Sequence, residues 1–392
     1  MTETVVLESL DAMLKNGLVD AGYKLVALDD CWSGGRFPNG TQYTDPKFST
    51  SGTLANLASA CHAKGVKFGM YTDRGNNTCA GRPGAQGYVA LDATTYAEWG
   101  VDYLKEDSCH ASSDHETAFS EYGSMRDALN ATGRPIFFSL CGWNPWYAPV
   151  GATLGNSWRV GPDDTNWHGI VDNININAAL APYAGPGGWN DPCLLLSSDA
   201  AGNARVTELQ SRFQFTMWAI MASPLLISGN VRNMSQFVLD TYLNHEAIAV
   251  NQDAAGKQGV RVVGGPLALP AATAIAEAAT PPARVEACGP APAGQRCLTY
   301  EAPQPATPTN VWARPLTAGT AVAFVNVGPT PANVTCDASC WGAAGHPVGS
   351  TLAVRDVWAA ANATYTVSAT TPYTVLVPGE GGATLLVVQP TP

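Results

Sequence analysis

Between residues 4 and 18 apolar residues return every three or four positions, and Leu7, Leu10, Leu14 and Leu18 share one face of a predicted amphipathic helix. Past Gly22 the pattern becomes that of a strand, residues 23–28, closing on Asp29-Asp30. The same order repeats. Leu54, Leu57, Ala58 and Cys61 form a helical stripe, Gly65 ends it, and a strand at 66–71 runs out at Thr72-Asp73. A short helix stops at Gly100 before a strand at 101–104, and Lys105, Glu106 and Asp107 follow where that strand should end. Phe119, Tyr122, Met125 and Leu129 mark another helix, closed by Gly133 ahead of a strand at 135–140. In each case glycine supplies the left-handed cap that lets a helix turn into the next strand. Shorter strands are predicted at 157–160, 188–190 and 225–228, the last after a helix with Val206, Leu209, Phe213, Met217 and Ile220 on one face.

Strands alternating with helices through short connections mean a parallel sheet with helices outside it, an α/β fold. The pattern gives seven strands, one short of a (β/α)8 barrel, and the chain opens on a helix where a first strand should stand. A doubly wound open sheet is the structural rival; the absence of a glycine-rich nucleotide turn after the first strand disfavours it. From about Gly259 the character changes. Residues 264–295 are rich in Ala and Pro and read as a linker or loop. Short β-prone runs at 321–327, 351–357, 364–367, 373–377 and 383–388, split by Pro, Gly and Asn, suit a small antiparallel β-sandwich. The expected domains are therefore a barrel at 1–260 and a C-terminal sandwich at 261–392, with the linker at its start and no catalytic cluster within it.

At 392 residues, 46% hydrophobic and 14% charged, the chain is globular rather than disordered. A net charge of −11 argues against nucleic acid as a partner, because phosphates would be repelled, and leaves a neutral small molecule open. No run reaches the ~18 apolar residues of a membrane span. The first residues carry neither a basic region nor an apolar core, so no signal peptide is read there. Ten cysteines point instead to disulfides and an oxidising compartment, with Cys288 near Cys297 and Cys336 near Cys340. No CxxC occurs and the six histidines are scattered, so a zinc site is not expected. Sequons at Asn39, Asn76, Asn130, Asn233, Asn333 and Asn362 add weak support for a secretory route. These signals predict a glycoprotein that is secreted or lysosomal/vacuolar, and an N-terminus that is incomplete.

Carboxylates stand at three strand ends: Asp29-Asp30, Asp107, and Asp163-Asp164 after Trp158-Arg159; a fourth, Asp191, follows Gly-Gly-Trp-Asn. Each pair alone reads equally well as a helix cap or surface turn. On one barrel rim they would converge, and carboxylates with Arg, Lys and Trp suit a sugar site. Arg and Lys bond hydroxyls, Trp stacks on a pyranose face, and two carboxylates can cleave a glycosidic bond. One must act ionised and the other protonated. Asp107 would stay ionised with the Lys105 cation in reach, while Asp163, beside Asp164, is the candidate for a raised pKa. Trp158 and Trp189 serve equally well as core aromatics. No G-x-S-x-G and no Walker loop occurs.

These motifs resemble the α-galactosidases of glycoside hydrolase family 27. The likeness is carried by Leu28-Asp29-Asp30-Cys31-Trp32, by Tyr71-Thr72-Asp73 with Gly75-Asn76-Asn77-Thr78-Cys79, and by Tyr103-Leu104-Lys105-Glu106-Asp107-Ser108-Cys109. Trp158-Arg159 with Asp163, Pro186-Gly187-Gly188-Trp189-Asn190-Asp191-Pro192, the run at 221–229 and Ala249-Val250-Asn251-Gln252-Asp253 extend it to about residue 260. Agreement is weaker at 311–316. The resemblance implies a (β/α)8 TIM barrel, here N-terminally truncated with its first strand missing, followed by the sandwich. It implies a retaining hydrolase acting on terminal α-D-galactosyl residues, with Asp107 as nucleophile and Asp163 as acid/base. Asp29 and Asp30 would bind the galactose 4- and 6-hydroxyls, Lys105 the 3-hydroxyl and Arg159 the 2- and 3-hydroxyls, with Tyr71 also in the binding site. Cys79 and Cys109 would form a disulfide beside the nucleophile, and no metal or organic cofactor would be needed. The partner implied is a galactose-containing oligosaccharide or glycoconjugate.

Four departures qualify the likeness. The family's first strand, with its Gly-Trp-Asn-Ser-Trp motif and a cysteine, is absent, which takes away a partner for Cys31. Gly142 stands where a Glu reads the 2-hydroxyl, and Cys193 where an active-site Asp is usual. The segment from Asp163 to Trp167 is one residue short, so Asp163 is placed by its distance from Arg159, with Asp164 as the fallback. Gly142 leaves room near C2, which keeps an α-N-acetylgalactosaminidase and a β-L-arabinopyranosidase as alternatives. Cys193 and the absent strand motivate a further one, a sugar-binding relative without turnover.

Overall fold

The computed structural model describes residues 1–49, 51–199, 201–270, 305–359 and 364–391. Most of the predicted linker, Cys288, Cys297 and the sequon at Asn362 lie outside the described residues. The chain forms two compact units, residues 1–142 with 150–159 and residues 143–149 with 160–392.

Helix α1 (Glu3–Lys15) opens the first unit. The Thr2 hydroxyl accepts the Val5 N–H, and Glu3 and Lys15 sit at the ends the helix dipole favours for each charge. It buries Val6, Leu10 and Met13; of the predicted leucine face Leu10 is buried on the helix, whereas Leu14 is 37% exposed. The helix stops at Lys15 and Gly17, at φ 79°, turns the chain, so Leu18 is buried from the turn and not from the helix.

Along the chain follow β1 (Leu25–Ala27), β2 (Ser33–Arg36), β3 (Gln42–Thr44), α2 (Ala55–His62), β4 (Lys67–Asp73) and α3 (Val89–Glu98). Then come β5 (Tyr103–Asp107), α4 (His115–Ala131), β6 (Phe137–Cys141), α5 (Ala148–Leu154) and β7 (Ser157–Arg159). Strands β1, β4, β5, β6 and β7 pair in parallel, each beside the next. A doubly wound sheet would reverse its strand order at a switch point, and this sequential order excludes it for the first unit. The register sets Asp73 opposite Asp107, and Asp107 opposite Cys141, at the carboxyl ends. Lys105, Glu106 and Asp107 do not lie past the strand, as the pattern predicts; they are its last three residues, paired on both sides. The two-residue period then turns Glu106 to the face opposite Lys105 and Asp107. The hairpin of β2 and β3 has no counterpart in the sequence reading. Its Gly34 and Gly35 lie under the Tyr43 side chain, where an added Cβ would meet a ring carbon at 2.7 Å and the hydroxyl oxygen at 2.6 Å respectively.

The second unit holds α6 (Trp167–Ala178), β8 (Trp189–Asp191), β9 (Leu195–Leu196), α7 (Glu208–Ile220), β10 (Ile227–Ser228), α8 (Gln236–Tyr242) and α9 (His245–Asn251). β9 and β10 pair in parallel. A capping box of Thr207 and Gln210 starts α7, which buries every residue from Phe213 to Ile220. That is more than the predicted one-faced stripe, of which Leu209 is 41% exposed.

Eight antiparallel strands follow: β11 (Val260–Val263), β12 (Thr309–Pro315), β13 (Thr320–Asn326), β14 (Ala332–Cys336), β15 (Thr351–Asp356), β16 (Thr364–Ser368), β17 (Tyr373–Val377) and β18 (Gly382–Pro390). Six form one sheet in the order β11-β12-β13-β18-β15-β16, and β14 pairs with β17. Both sheets contribute to one core that includes Val322, Phe324, Val334, Trp341, Leu352 and Leu386. A disulfide joins Cys336 to Cys340 on the short helix α10 (Ala338–Ala343). Arg314 of β12 is fully buried, and its Nη1 donates to the carbonyls of Ala219 and Asn251. Those carbonyls belong to the last turns of α7 and α9, where the helix dipole favours a cation. A parallel α/β succession followed by an antiparallel sandwich is the fold class the sequence predicts. No described helix is long and apolar enough to cross a membrane.

Candidate active site

In the first unit the polar residues gather at the carboxyl ends of the parallel strands. Asp107, the last residue of β5, is 4% exposed. Its Oδ1 accepts the Ser108 N–H at 2.9 Å, and its Oδ2 lies 3.8 Å from Lys105 Nζ. Burial pushes its pKa up, while Lys105, the Ser108 amide, the Tyr71 hydroxyl and Cys141 pull the other way. Lys105 is therefore in reach, as expected, but it only moderates the effect of burial.

Lys105 Nζ donates to Asp29 Oδ2 at 2.8 Å and lies 5.0 Å from the centre of the Tyr71 ring. Burial works against its charge, yet Cys141, Asp29 and Asp107 outweigh that and raise its pKa well above the ordinary value. The Tyr71 hydroxyl approaches Cys79 Sγ at 3.3 Å. Burial, then Asp107, Asp30 and Asp73, raise the Tyr71 pKa and keep it a phenol that donates. Asp30 turns its carboxylate to the backbone: Oδ1 accepts the Cys31 N–H at 2.6 Å and Oδ2 the Ala80 N–H at 2.8 Å. Cys31 takes φ 77°, and the next residue, Trp32, is buried with its indole N–H on the Tyr71 carbonyl. Cys79 and Cys109 form a disulfide. Arg159, at the end of β7, is 4% exposed with Nη1 at 3.9 Å from Cys141 Sγ.

Oxygens of Asp73 and Asp107 and the sulfurs of Cys79 and Cys109 all lie within 4.8 Å of one another. The sulfurs are spent on the disulfide, so this donor set does not suit a metal ion. Asp73 is a site residue the sequence reading passes over; its strand-end position, shared with Asp29-Asp30, is the signal that marks it. Glu106, on the other face of β5, is 1% exposed and neither carboxyl oxygen has a hydrogen-bond partner. Burial raises its pKa well above the ordinary value.

Asp163 and Asp164 belong to the second unit, in the loop ahead of α6. Asp163 is exposed, whereas Asp164 is 7% exposed. Asp164 Oδ1 accepts from Asn173 Nδ2 at 2.5 Å, and Oδ2 from Gln214 Nε2 at 3.3 Å. Its N–H points to Cys193 Sγ at 3.4 Å. Asp164 thus ties α6 and α7 to the loop. Cys193 takes φ 106°, and its N–H donates to Asp191 Oδ1 at 2.9 Å.

Residues 1–253 match the family profile described as alpha galactosidase A, and residues 306–387 match the alpha galactosidase C-terminal beta sandwich domain. A probable alpha-galactosidase of Dictyostelium discoideum is 43% identical over 263 residues, covering 66% of either chain. Alpha-galactosidase 3 of Arabidopsis thaliana is 43% identical over 266 residues, 67% of this chain and 59% of its own. The chain thus aligns with about two thirds or less of the length of these relatives. The structure of the Saccharomyces cerevisiae α-galactosidase superposes with a TM-score of 0.81 at 27% identity, covering 100% of this chain and 94% of that one. That yeast enzyme has also been solved with raffinose.

Proposed function

The chain belongs to the alpha galactosidase A family, and on that premise we propose that it is a retaining glycosidase that removes terminal α-D-galactosyl residues. The observation that carries the reading is Asp107, a buried strand-end carboxylate with Lys105 Nζ at 3.8 Å and the Ser108 amide fixing its other oxygen. A nucleophile of this kind must be ionised yet poorly hydrated; burial supplies the second condition, and Lys105 and the Ser108 amide work against burial toward the first.

In the first step an Asp107 oxygen attacks C1 of the galactosyl residue as the C1–O bond to the leaving group breaks. The bonding pair goes to the leaving oxygen, which takes a proton from Asp163. In the second step Asp163, now a carboxylate, removes a proton from water, which attacks C1 and releases Asp107. Two inversions retain the anomeric configuration. Asp29 and Asp30 take the 4- and 6-hydroxyls, Lys105 the 3-hydroxyl and Arg159 the 2- and 3-hydroxyls, while Tyr71 lines the pocket. The Asp29–Lys105 hydrogen bond supports this division, since it joins two of the sugar-binding groups before any sugar arrives.

Catalysis in this reading belongs to residues 1–260, and the sandwich from 261 onward supports it. The substrate is a galactose-containing oligosaccharide, with the raffinose complex of the yeast relative as one guide. The disulfides favour an oxidising compartment, secreted or lysosomal/vacuolar. Turnover of an aryl α-D-galactoside near pH 5 tests the reading. Wild-type protein should release the aryl group and Asp107→Asn should not; full activity in that variant would remove the nucleophile assignment.

A further inference from the structure

Asp73 ends β4 beside Asp107, set there by the parallel register. It is fully buried, and each of its oxygens has a backbone partner. Oδ1 accepts the Gly75 N–H at 2.7 Å and Oδ2 the Cys109 N–H at 2.8 Å. One amide belongs to the loop after β4 and the other to the loop after β5. The loops are in contact, because a Cβ on Gly75 would stand 2.3 Å from the Cys109 carbonyl oxygen. Between Cys109 and the nucleophile lies only Ser108, whose N–H holds Asp107 Oδ1.

We infer that Asp73 is a positioning residue for Asp107: one carboxyl grips the amides of Gly75 and Cys109, fixes the Ser108-Cys109 backbone, and so aims the Ser108 N–H that orients the nucleophile. This rests on Asp107 being the nucleophile. The Cys79–Cys109 disulfide restrains the same loop through rotatable side chains, whereas the carboxyl sets the direction of the amide itself. Asp73, with no exposed surface, does not touch the sugar. Its charge is also governed by the site. Asp107 of β5 and Tyr71 of its own strand share its face, Arg74 stands beside it, and Glu106 acts on it from the other face of β5. Burial pushes Asp73 up to about 7; the Gly75 and Cys109 amides and Arg74 oppose the rise, and Asp107 adds to it. Two buried carboxyls this close resist ionising together, so the charge of Asp73 is coupled to that of Asp107.

The test compares Asp73→Asn with wild type in kcat and KM for an aryl α-D-galactoside at pH 5. Asparagine keeps the size but can accept from only one of the two amides, and it turns N–H groups on the other. The expected result is a kcat lowered by about 10- to 100-fold, the scale of a small misplacement of a reacting group. KM should stay within about twofold, since Asp29, Asp30 and Lys105 are untouched. A variant with wild-type kcat would overturn the inference, as would a loss that appears in KM alone. A wild type without turnover would instead overturn the galactosidase reading. A second readout uses wild-type protein, so it stands even if the variant does not fold. In amide NMR, Gly75 and Cys109 should exchange slowly with solvent and shift together as pH passes about 7. Fast exchange or independent titration of the two would refute the shared carboxyl.

Discussion

Replacing Lys105 by methionine removes one positive charge beside Asp107 and leaves a side chain of similar length. Lys105 Nζ lies 3.8 Å from Asp107 Oδ2. At that separation the interaction is about 4 kcal/mol at an effective dielectric of about 20, and about 1 kcal/mol in bulk water. At about 1.4 kcal/mol per unit these bounds correspond to about 3 and about 0.8 pKa units. The Lys105 side chain is 20% exposed and shares its charge with Asp29 at 2.8 Å, so the effect falls between them, at about 1 to 2 units. Burial already raises the Asp107 pKa and Lys105 opposes it, so the variant moves the pKa further up. The nucleophile must be ionised, and the acid limb of the kcat/KM profile should therefore shift to higher pH by about 1 to 2 units in Lys105→Met. The lost hydroxyl contact lowers the whole curve, but only the lost charge moves the limb. A profile from pH 3 to 8 on an aryl α-galactoside separates the two. A limb within about 0.3 unit of wild type would refute the electrostatic argument.

Two further changes test the frame around the site. Asp92 is fully buried and takes both Nη groups of Arg36, so Arg36→Ala strands that carboxylate and should cost about 3–5 kcal/mol in denaturant unfolding; a loss below about 1 kcal/mol would contradict it. Glu106 has no partner, and burial lifts its pKa well above 4.5, so the folded state binds its proton more tightly than the unfolded state does. Wild type is then penalised increasingly as pH rises above about 4.5, while Glu106→Gln is not. The variant should match wild type in urea at pH 4 and exceed it at pH 8, and parallel behaviour at both pH values would refute a neutral Glu106.

The alternation of helices and strands is legible in the chain because apolar spacing and glycine caps act locally. What depends on distant partners is not. Strand β5 runs through Lys105, Glu106 and Asp107 because β4 and β6 supply backbone partners there, and the charge of those residues hides the pairing. The β2–β3 hairpin escapes notice because Gly34 and Gly35 carry no β signal, and their reason is the Tyr43 ring above them. Asp73 stands at a strand end in sequence, and the register adds that it lies beside Asp107. Similarly, Asp163 and Asp164 are adjacent carboxylates in sequence, and only folding commits Asp164 to Asn173 and Gln214. The motif residues Asp29, Tyr71, Lys105 and Asp107 could be grouped beforehand because all sit at ends of parallel strands, where side chains converge by geometry.

The most direct test of the account is covalent trapping of the nucleophile. A fluorinated galactosyl fluoride that reacts readily but releases slowly should label the wild-type protein once per chain. After proteolysis, the added mass should lie on the peptide containing Asp107, and Asp107→Asn should remain unlabelled. Label on another carboxylate, or turnover by folded protein with no trapped adduct, would contradict the assignment of Asp107 as the residue that attacks the sugar.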